Sequence, residues 1–137
     1  MLKKMIIFGF IIALLIAAAG YYYVFIYSVK HHRNVRDEKA ITIAAGALAI
    51  AFSTNEKLAN EQFLNKAIDV RGAVLSFNYD QVGQKTVLIG SEMEMSNVFI
   101  TLKDSSKSFK IGDTICVKAI CNGFLSDVVL TDGVLQR

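Results

Sequence analysis

The sequence predicts an all-β domain, a five-stranded Greek-key barrel preceded by one or two α-helices and an N-terminal transmembrane helix. Three observations lead to this fold class. An uncharged apolar run opens the chain, the hydrophobic period changes from helical to two near residue 66, and five short strand patterns with turn signals follow. A length of 137 residues leaves room for one domain beside the apolar run.

The first element is the apolar run, residues 5–29, which contains no charged side chain. A bilayer core needs about 20 such residues in a helix, because no water is present to satisfy the backbone there. Aromatic hydroxyls favour the headgroup region, and four of them crowd the end of the run: Tyr21, Tyr22, Tyr23 and Tyr27. We expect residues 1–30 to form a signal anchor that contacts membrane lipid through residues 5–29.

Two other interpretations of the apolar run stay open. Ala17–Ala19 resemble the cleavage site of a signal peptide, but cleavage there would expose the apolar stretch Tyr21–Val29 in the mature protein. A buried core helix is disfavoured by the length of the run.

The second element, residues 31–65, is predicted to be a connector followed by helical structure. Ala40–Phe52 is Ala-rich and too short to span a bilayer, so it is predicted to be a helix on the barrel or on the membrane surface. Ser53 and Glu56 match a capping box that would start a second helix, Thr54–Asn65. A single longer helix is the alternative, because four apolar side chains share one helical face: Leu48, Phe52, Ala59 and Phe63.

The third element, residues 66–137, carries the strand patterns. Apolar and polar residues alternate, and Gly72 lies where a barrel strand can coil sharply. A sandwich normally has about seven strands, so five short strands without crossover helices favour a barrel of the OB type. The predicted strands are Ile68–Val74, Thr86–Gly90, Asn97–Leu102, Thr114–Ile120 and Val128–Leu135.

Two sequence blocks, Asn55–Val74 and Lys110–Leu130, carry a family resemblance. Together they resemble the tRNA-anticodon-binding-like OB-fold family, which occurs as small bacterial membrane or lipoprotein-type domains. The resemblance covers about residues 45–135 and implies a five-stranded barrel with a preceding helix, attached to a membrane. It implies no catalytic residues, and the family name does not establish tRNA binding. The N-terminal segment lacks the cysteine of a lipoprotein.

The orientation in the membrane is predicted from two opposing signals. Positive-inside counting favours a cytoplasmic barrel, because four basic residues follow the apolar run and only Lys3 and Lys4 precede it. A short tail with two lysines is typical of an export signal, and the resemblance points the same way. We therefore expect a single-pass membrane protein with the barrel on the extracytoplasmic side.

The charge distribution bears on the ligand. Residues 1–52 hold six Lys/Arg and two Asp/Glu, a net charge of +4, whereas residues 53–137 hold nine and ten, a net charge of −1. Nucleic-acid affinity depends mostly on Lys and Arg neutralising phosphates. The near-neutral domain therefore disfavours nucleic acid as a partner.

Catalytic and metal-binding patterns are absent from the sequence. The only histidines, His31 and His32, adjoin the apolar run, which rules out a Ser-His-Asp arrangement within the barrel. Cys116 and Cys121 lie five apart in one predicted strand, so they point to opposite faces and have no nearby histidine pair for zinc. Glu92 and Glu94 are interpreted as solvated loop carboxylates. We expect no enzyme activity, cofactor or metal.

A binding module remains the main hypothesis. OB folds commonly bind extended ligands on their second and third strands. If Val98, Ile100 and Leu102 fill the barrel, Phe99 and Thr101 point outward, although Phe99 could also pack under a loop. The predicted ligand-binding residues are Tyr79, Lys85, Phe99, Thr101 and Lys103.

The predicted function is a membrane-anchored, non-catalytic OB-fold binding module of the bacterial envelope whose ligand is a protein, peptide or glycan. The first alternative is a structural module that docks on an envelope partner through an apolar patch, for example Phe124 and Leu125 with the Ala-rich helix. The second is binding of single-stranded nucleic acid or tRNA by a cytoplasmic barrel.

Overall fold

The computed structural model of the protein describes residues 2–27, 34–90 and 96–136. These fall into two compact units, Met1–Asn34 and Val35–Arg137. The first unit contains helix α1, Leu2–Tyr22, which continues as a π-helical stretch, Tyr23–Tyr27. By length and composition, the apolar helix Lys3–Phe25 can cross a membrane, and its most apolar stretch is not buried by the protein.

The second unit is a five-stranded closed barrel with one additional strand and two helices, which confirms the predicted fold class. A 3₁₀ turn, Val35–Asp37, opens it. The elements before the barrel are β1 (Ile41–Ala44), α2 (Ala45–Thr54) and α3 (Glu56–Phe63). The barrel strands are β2 (Ala67–Tyr79), β3 (Lys85–Gly90), β4 (Val98–Leu102), β5 (Thr114–Phe124) and β6 (Val128–Leu135).

The barrel closes because β2 is long enough to pair with two strands in succession. Residues 67–73 of β2 pair with β5, and residues 73–79 pair with β3. The strand order is β2–β3–β4–β6–β5, with β4 and β6 parallel and the other barrel pairs antiparallel. A register shift between Val74 and Ser76 lets β2 bend between its two partners.

The additional strand corrects the prediction of one helix over Ala40–Phe52. Ile41–Ala44 pairs in parallel with residues 68–71 of β2. The three residues Ile41–Ile43 are β-branched and suit a strand, whereas α2 starts at Ala45, where Ala and Leu dominate. The first part of this apolar segment is therefore a strand, because it pairs with the edge of β2.

The helical segment forms two helices, and its cap differs from the predicted one. Asn55 is the N-cap of α3, since its Oδ1 accepts a hydrogen bond from the Leu58 N–H at 3.2 Å. The Ser53 hydroxyl instead donates to the carbonyl of Ile50 at 3.1 Å. The predicted shared face is confirmed by burial, because the barrel core includes Leu48, Phe52, Ala59 and Phe63.

Glycine permits the closest approach between α2 and the barrel. A Cβ on Gly72 would lie 2.8 Å from the Cβ of Ala45. Any larger residue at position 72 would push the start of α2 away from β2. The period-two pattern could not show this contact, because the contact depends on Ala45, which lies 27 positions earlier in the chain.

Two strands are longer than predicted. The predicted turn 78–84 narrows to Asp80–Gln84, where Asp80 Oδ1 accepts hydrogen bonds from the N–H groups of Val82 and Gln84. The predicted turn 121–127 narrows in the same way, since β5 continues to Phe124. In both turns, strand pairing extends further than local sequence indicates, so Asn78 and Asn122 belong to strands.

Candidate ligand-binding groove

The outer face of β4 has the predicted alternation. Val98, Ile100 and Leu102 are buried in the barrel core. Phe99 is 37% exposed, and Thr101 is half-buried on the same outer face. The outward direction of these two predicted residues therefore agrees with the pleat of the strand.

Two of the five predicted ligand residues share a cleft. Thr101 and Lys103 line a cavity of about 260 Å³ beside the β2–β3 turn. The other residues of this cleft are Asp80, Gln84, Leu102, Thr131 and Asp132. Tyr79 is 60% exposed and Phe99 lies on β4, and neither lines the cleft. The cleft thus offers one cation beside two carboxylates and no aromatic ring.

Lys85 is buried, unlike the other predicted ligand residues. Its side chain is only 5% exposed, and its Nζ donates a hydrogen bond to the Lys107 carbonyl at 3.2 Å. Three aromatic rings surround the ammonium group, with distances from Nζ to the ring centroid of 4.2 Å for Phe109, 4.9 Å for Phe77 and 5.9 Å for Tyr79. We call this arrangement the Lys85 clasp.

The Lys85 clasp holds the segment Ser105–Phe109, which we call the wall segment. The Lys85 N–H donates to Ser105 Oγ at 3.0 Å, and the ring of Phe109 meets that of Phe77 edge-on at 5.6 Å. Asp104, just before the segment, accepts hydrogen bonds from the Ser106 hydroxyl at 2.6 Å and the Ser106 N–H at 3.0 Å. These bonds lower the pKa of the Asp104 carboxyl.

The wall segment forms one side of an open groove of about 820 Å³. The other side is formed by the start of β5, by Arg71 on β2, and by Leu135 and Gln136 at the end of β6. The groove is lined by Arg71, Lys107, Ser108, Phe109, Asp113, Thr114, Ile115, Cys116, Leu135 and Gln136. Two cationic side chains and one aromatic ring are therefore brought together here, which the β4 face does not achieve.

Lys107 ties the wall segment to the last strand. Its Nζ donates a hydrogen bond to the Leu135 carbonyl at 3.1 Å. Its own carbonyl accepts the bond from Lys85. Lys107 thus links the wall segment to β6 through its side chain and to Lys85 through its backbone carbonyl.

Cys116 is the thiol of the groove. Its Sγ donates to Asp69 Oδ1 at 3.4 Å. Burial, the hydrogen bond to Asp69 and the charge of Asp69 raise the thiol pKa, so it stays protonated and weakly nucleophilic at neutral pH. Cys121 is buried in the core, where burial raises its pKa as well. Both cysteines are free thiols.

Four polar residues weighed in the sequence analysis cannot be placed relative to the groove. His31, His32, Glu92 and Glu94 lie outside the described residues. Within the described ranges, no group of three or more His, Cys, Asp or Glu side chains is placed to hold a metal ion.

Sequence reasoning missed the groove, including its two cations and its aromatic ring: Arg71, Lys107 and Phe109. Arg71 occupies an outward position of the first barrel strand, and that position was a usable signal. Phe109 was a second signal, because it is an aromatic residue in an otherwise polar loop. Arg71 and Phe109 line one groove only because the wall segment folds back towards β2, and no local sequence pattern indicates this fold.

Comparisons with known proteins agree with the fold. A lipoprotein of Klebsiella pneumoniae subsp. pneumoniae MGH 78578, which carries a provisional nucleic acid-binding name, has a similar crystal structure, with a TM-score of 0.52 and 14% sequence identity. The match covers 70% of this chain and 92% of that one. At this identity the likeness concerns the fold alone. No curated protein sequence matches the chain.

A family model, tRNA_anti-like, matches residues 1–133. The match includes the helices and almost all of the barrel, in agreement with the two sequence blocks that carry the resemblance. The chain belongs to the tRNA_anti-like family.

Proposed function

We propose that the protein is a membrane-anchored, non-catalytic OB-fold binding module of the bacterial envelope that holds an extended protein, peptide or glycan ligand in the groove beside the wall segment. The observation that carries this proposal is the groove itself, where cations and an aromatic ring line one preformed cavity. The β4 face, where the sequence placed the ligand, offers its cation and its aromatic ring in separate places.

The chemistry of the groove favours binding over catalysis. Arg71 and Lys107 supply two positive charges that suit the recognition of an anionic or polar ligand. The Cys116 thiol is held in its protonated form by burial and by Asp69. These side chains suit recognition of a ligand by charge, stacking and hydrogen bonds.

The anchor is the apolar N-terminal segment. In this proposal residues 1–30 hold the chain in the bilayer and residues 66–137 form the binding barrel. Residues 31–65 connect the two and supply the helical segment before the barrel. A topology reporter fused after Arg137, active only outside the cytoplasm, tests the side of the membrane. An active reporter supports the envelope assignment, and an inactive one overturns it.

Equilibrium binding tests the groove. Full-length protein in nanodiscs of uncharged lipid is titrated with a fluorescent peptide library, an oligosaccharide mixture and a short deoxythymidine oligonucleotide. We expect peptide or glycan binding that the double variant Arg71→Gln/Lys107→Gln weakens about tenfold or more. The matched control is Lys103→Gln on the β4 face, which should leave binding unchanged. Loss of binding in the control alone would place the site on β4.

A second candidate function is docking on a protein partner through the helices. Ile50 and Leu58, each 55% exposed, line an open apolar cleft of about 500 Å³ between α2 and α3. The patch proposed from sequence is divided, because the Phe124 ring stacks on Phe52 at 5.9 Å whereas Leu125 is 82% exposed. Loss of partner binding in Ile50→Ser/Leu58→Ser, but not in the groove variant, would favour this candidate.

Nucleic acid is a third candidate, suggested by the provisional name of the Klebsiella lipoprotein. The net charge of −1 for residues 53–137 argues against it, since such binding needs several phosphate contacts. Tight binding of the deoxythymidine probe with steep salt dependence would favour it over the main proposal.

A further inference from the structure

We infer that the groove receives a single anionic group, a carboxylate or a phosphate monoester, on Arg71, with the adjoining part of the ligand lying against the ring of Phe109. This inference rests on the groove named in the proposed function and adds the chemistry of its ligand. The β4 face and the family resemblance do not enter into it.

The first argument is that the positive charge of Arg71 is available. Arg71 is exposed on β2, directly across from Cys116 on β5. Its backbone pairs with β1 and β5, but among the described residues its side chain makes no hydrogen bond or ion pair. A guanidinium group offers up to five N–H donors in a planar fork that fits a carboxylate or a phosphate bidentately. The Arg71 side chain therefore offers these donors to an anion at the groove.

The second argument is that the charge of Lys107 is positioned but not neutralised. Its Nζ donates to a neutral carbonyl, that of Leu135, which fixes the ammonium and leaves its charge in place. The single carboxylate in the lining, Asp113, accepts a hydrogen bond from the Lys110 N–H at 2.8 Å. The lining thus holds two cations and one carboxylate, an excess of one positive charge that favours an anion.

The third argument limits the ligand to one anionic group. Two further carboxylates lie close to the groove. Asp69 accepts a hydrogen bond from the Cys116 thiol, and Asp104 precedes Lys107 by three residues. A polyanion would place further charges against these carboxylates, at a cost in free energy. The residues of the groove therefore suit a ligand with a local charge and an apolar or planar neighbour.

The apolar or planar part has a defined place. The Phe109 ring lines the groove with Ile115 and Leu135, and the Lys85 clasp fixes its orientation. Stacking on an aromatic ring contributes to binding without selecting one exact shape. We therefore expect the charge of Arg71 to orient the ligand and the ring of Phe109 to contribute to its affinity.

The test uses NMR of isotopically labelled full-length protein in uncharged detergent micelles. Three small probes are titrated: acetate, methyl phosphate and the neutral analogue acetamide. We expect saturable shifts of the Arg71 Nε–H signal and of the Gln136 amide with at least one anion, and none with acetamide. The stronger of the two anions identifies the source as carboxylate or phosphate. Arg71→Gln should weaken anion binding about tenfold or more, and Lys103→Gln should not.

Several results would overturn the inference. Equal shifts with acetamide would remove the role of charge, and unchanged anion binding in Arg71→Gln would remove the role of Arg71. For a polymeric ligand, log affinity should fall by about one for each unit of log salt concentration, as for a single ionic contact. A slope of about four or more would indicate a polyanion instead.

The outcomes separate this inference from the proposed function. Anion binding at Arg71, combined with no polymer binding in the groove, would refute the binding-module proposal and leave the anion site standing. Polymer binding in the groove that does not depend on Arg71 would support the binding-module proposal and refute the anion site.

Discussion

Two aromatic clusters in the barrel unit differ in what surrounds them. In the first, Phe52 lies 6.1 Å from Phe63 and 5.9 Å from Phe124, and all three rings pack with apolar core residues. In the second, Phe77 and Phe109 meet edge-on at 5.6 Å around the ammonium group of Lys85. One cluster joins the helices to the barrel, and the other joins a loop to it.

The two clusters contribute to different properties: the first to the stability of the fold, and the second to the shape of the groove. Apolar rings buried in a core contribute to the free energy of folding in proportion to the area they bury. A cation held among rings and a carbonyl adds directional contacts of modest net free energy, because a desolvated charge offsets much of the gain. We therefore expect the Phe52 cluster to control global unfolding and the Lys85 clasp to control the wall segment.

The largest expected effect is that of Phe52→Ala. Loss of a fully buried ring should lower the free energy of unfolding by about 3–5 kcal/mol, measured by urea denaturation of the full-length protein. Phe99→Ala is the matched control and should cost less than about 1 kcal/mol, because Phe99 is partly exposed. Similar losses in the two variants would contradict the assignment of Phe52 to the structural core.

A smaller, local effect is expected for Lys85→Met. The variant keeps the bulk of the side chain but removes the hydrogen bond to Lys107 and the attraction to the rings, so trypsin cleavage after Lys107 should become about tenfold faster. The free energy of unfolding should change by less than about 2 kcal/mol. Lys85→Arg should restore slow cleavage, and Lys57→Met, an exposed position, should not alter it. Fast cleavage in Lys85→Arg would mean that charge is not what holds the wall segment.

The smallest expected effect concerns the thiol in the groove. The Asp69 carboxylate raises the pKa of Cys116, so Asp69→Asn should lower that pKa and increase the thiolate fraction at pH 8. Alkylation by iodoacetamide, followed by mass spectrometry in a Cys121→Ser background, should be about threefold faster. Asp113→Asn is the control, since Asp113 is not among the causes of the shift. Slower alkylation in Asp69→Asn would reverse the assigned role of Asp69.

The two clusters also show which features of the fold can be predicted from the sequence. The period-two pattern predicts the strands and the inward direction of Val98 and Ile100, because alternation is a local property. It fails at Ile41–Ala44, where a long-range pairing with β2 turned part of an apolar stretch into a strand. The sequence therefore predicts elements well and misses the contacts that join distant segments.

The site depends on such a long-range contact. Lys85 and Lys103 look equivalent in the sequence, as basic residues at strand ends. Lys85 is buried only because the wall segment, about 20 residues later, folds over it. The same fold brings Phe109 and Lys107 to Arg71, which explains why the β4 face was predicted and the groove was not.

The most direct test of the ligand site is cross-linking at two positions in cells. A photoreactive phenylalanine analogue is placed at Ser108, on the rim of the groove, or at Phe99, on the β4 face, in the full-length protein. Irradiation should yield a ligand adduct at position 108 that Arg71→Gln suppresses, and none at position 99. An adduct at position 99 with none at 108 would place the ligand on the β4 face and contradict the account.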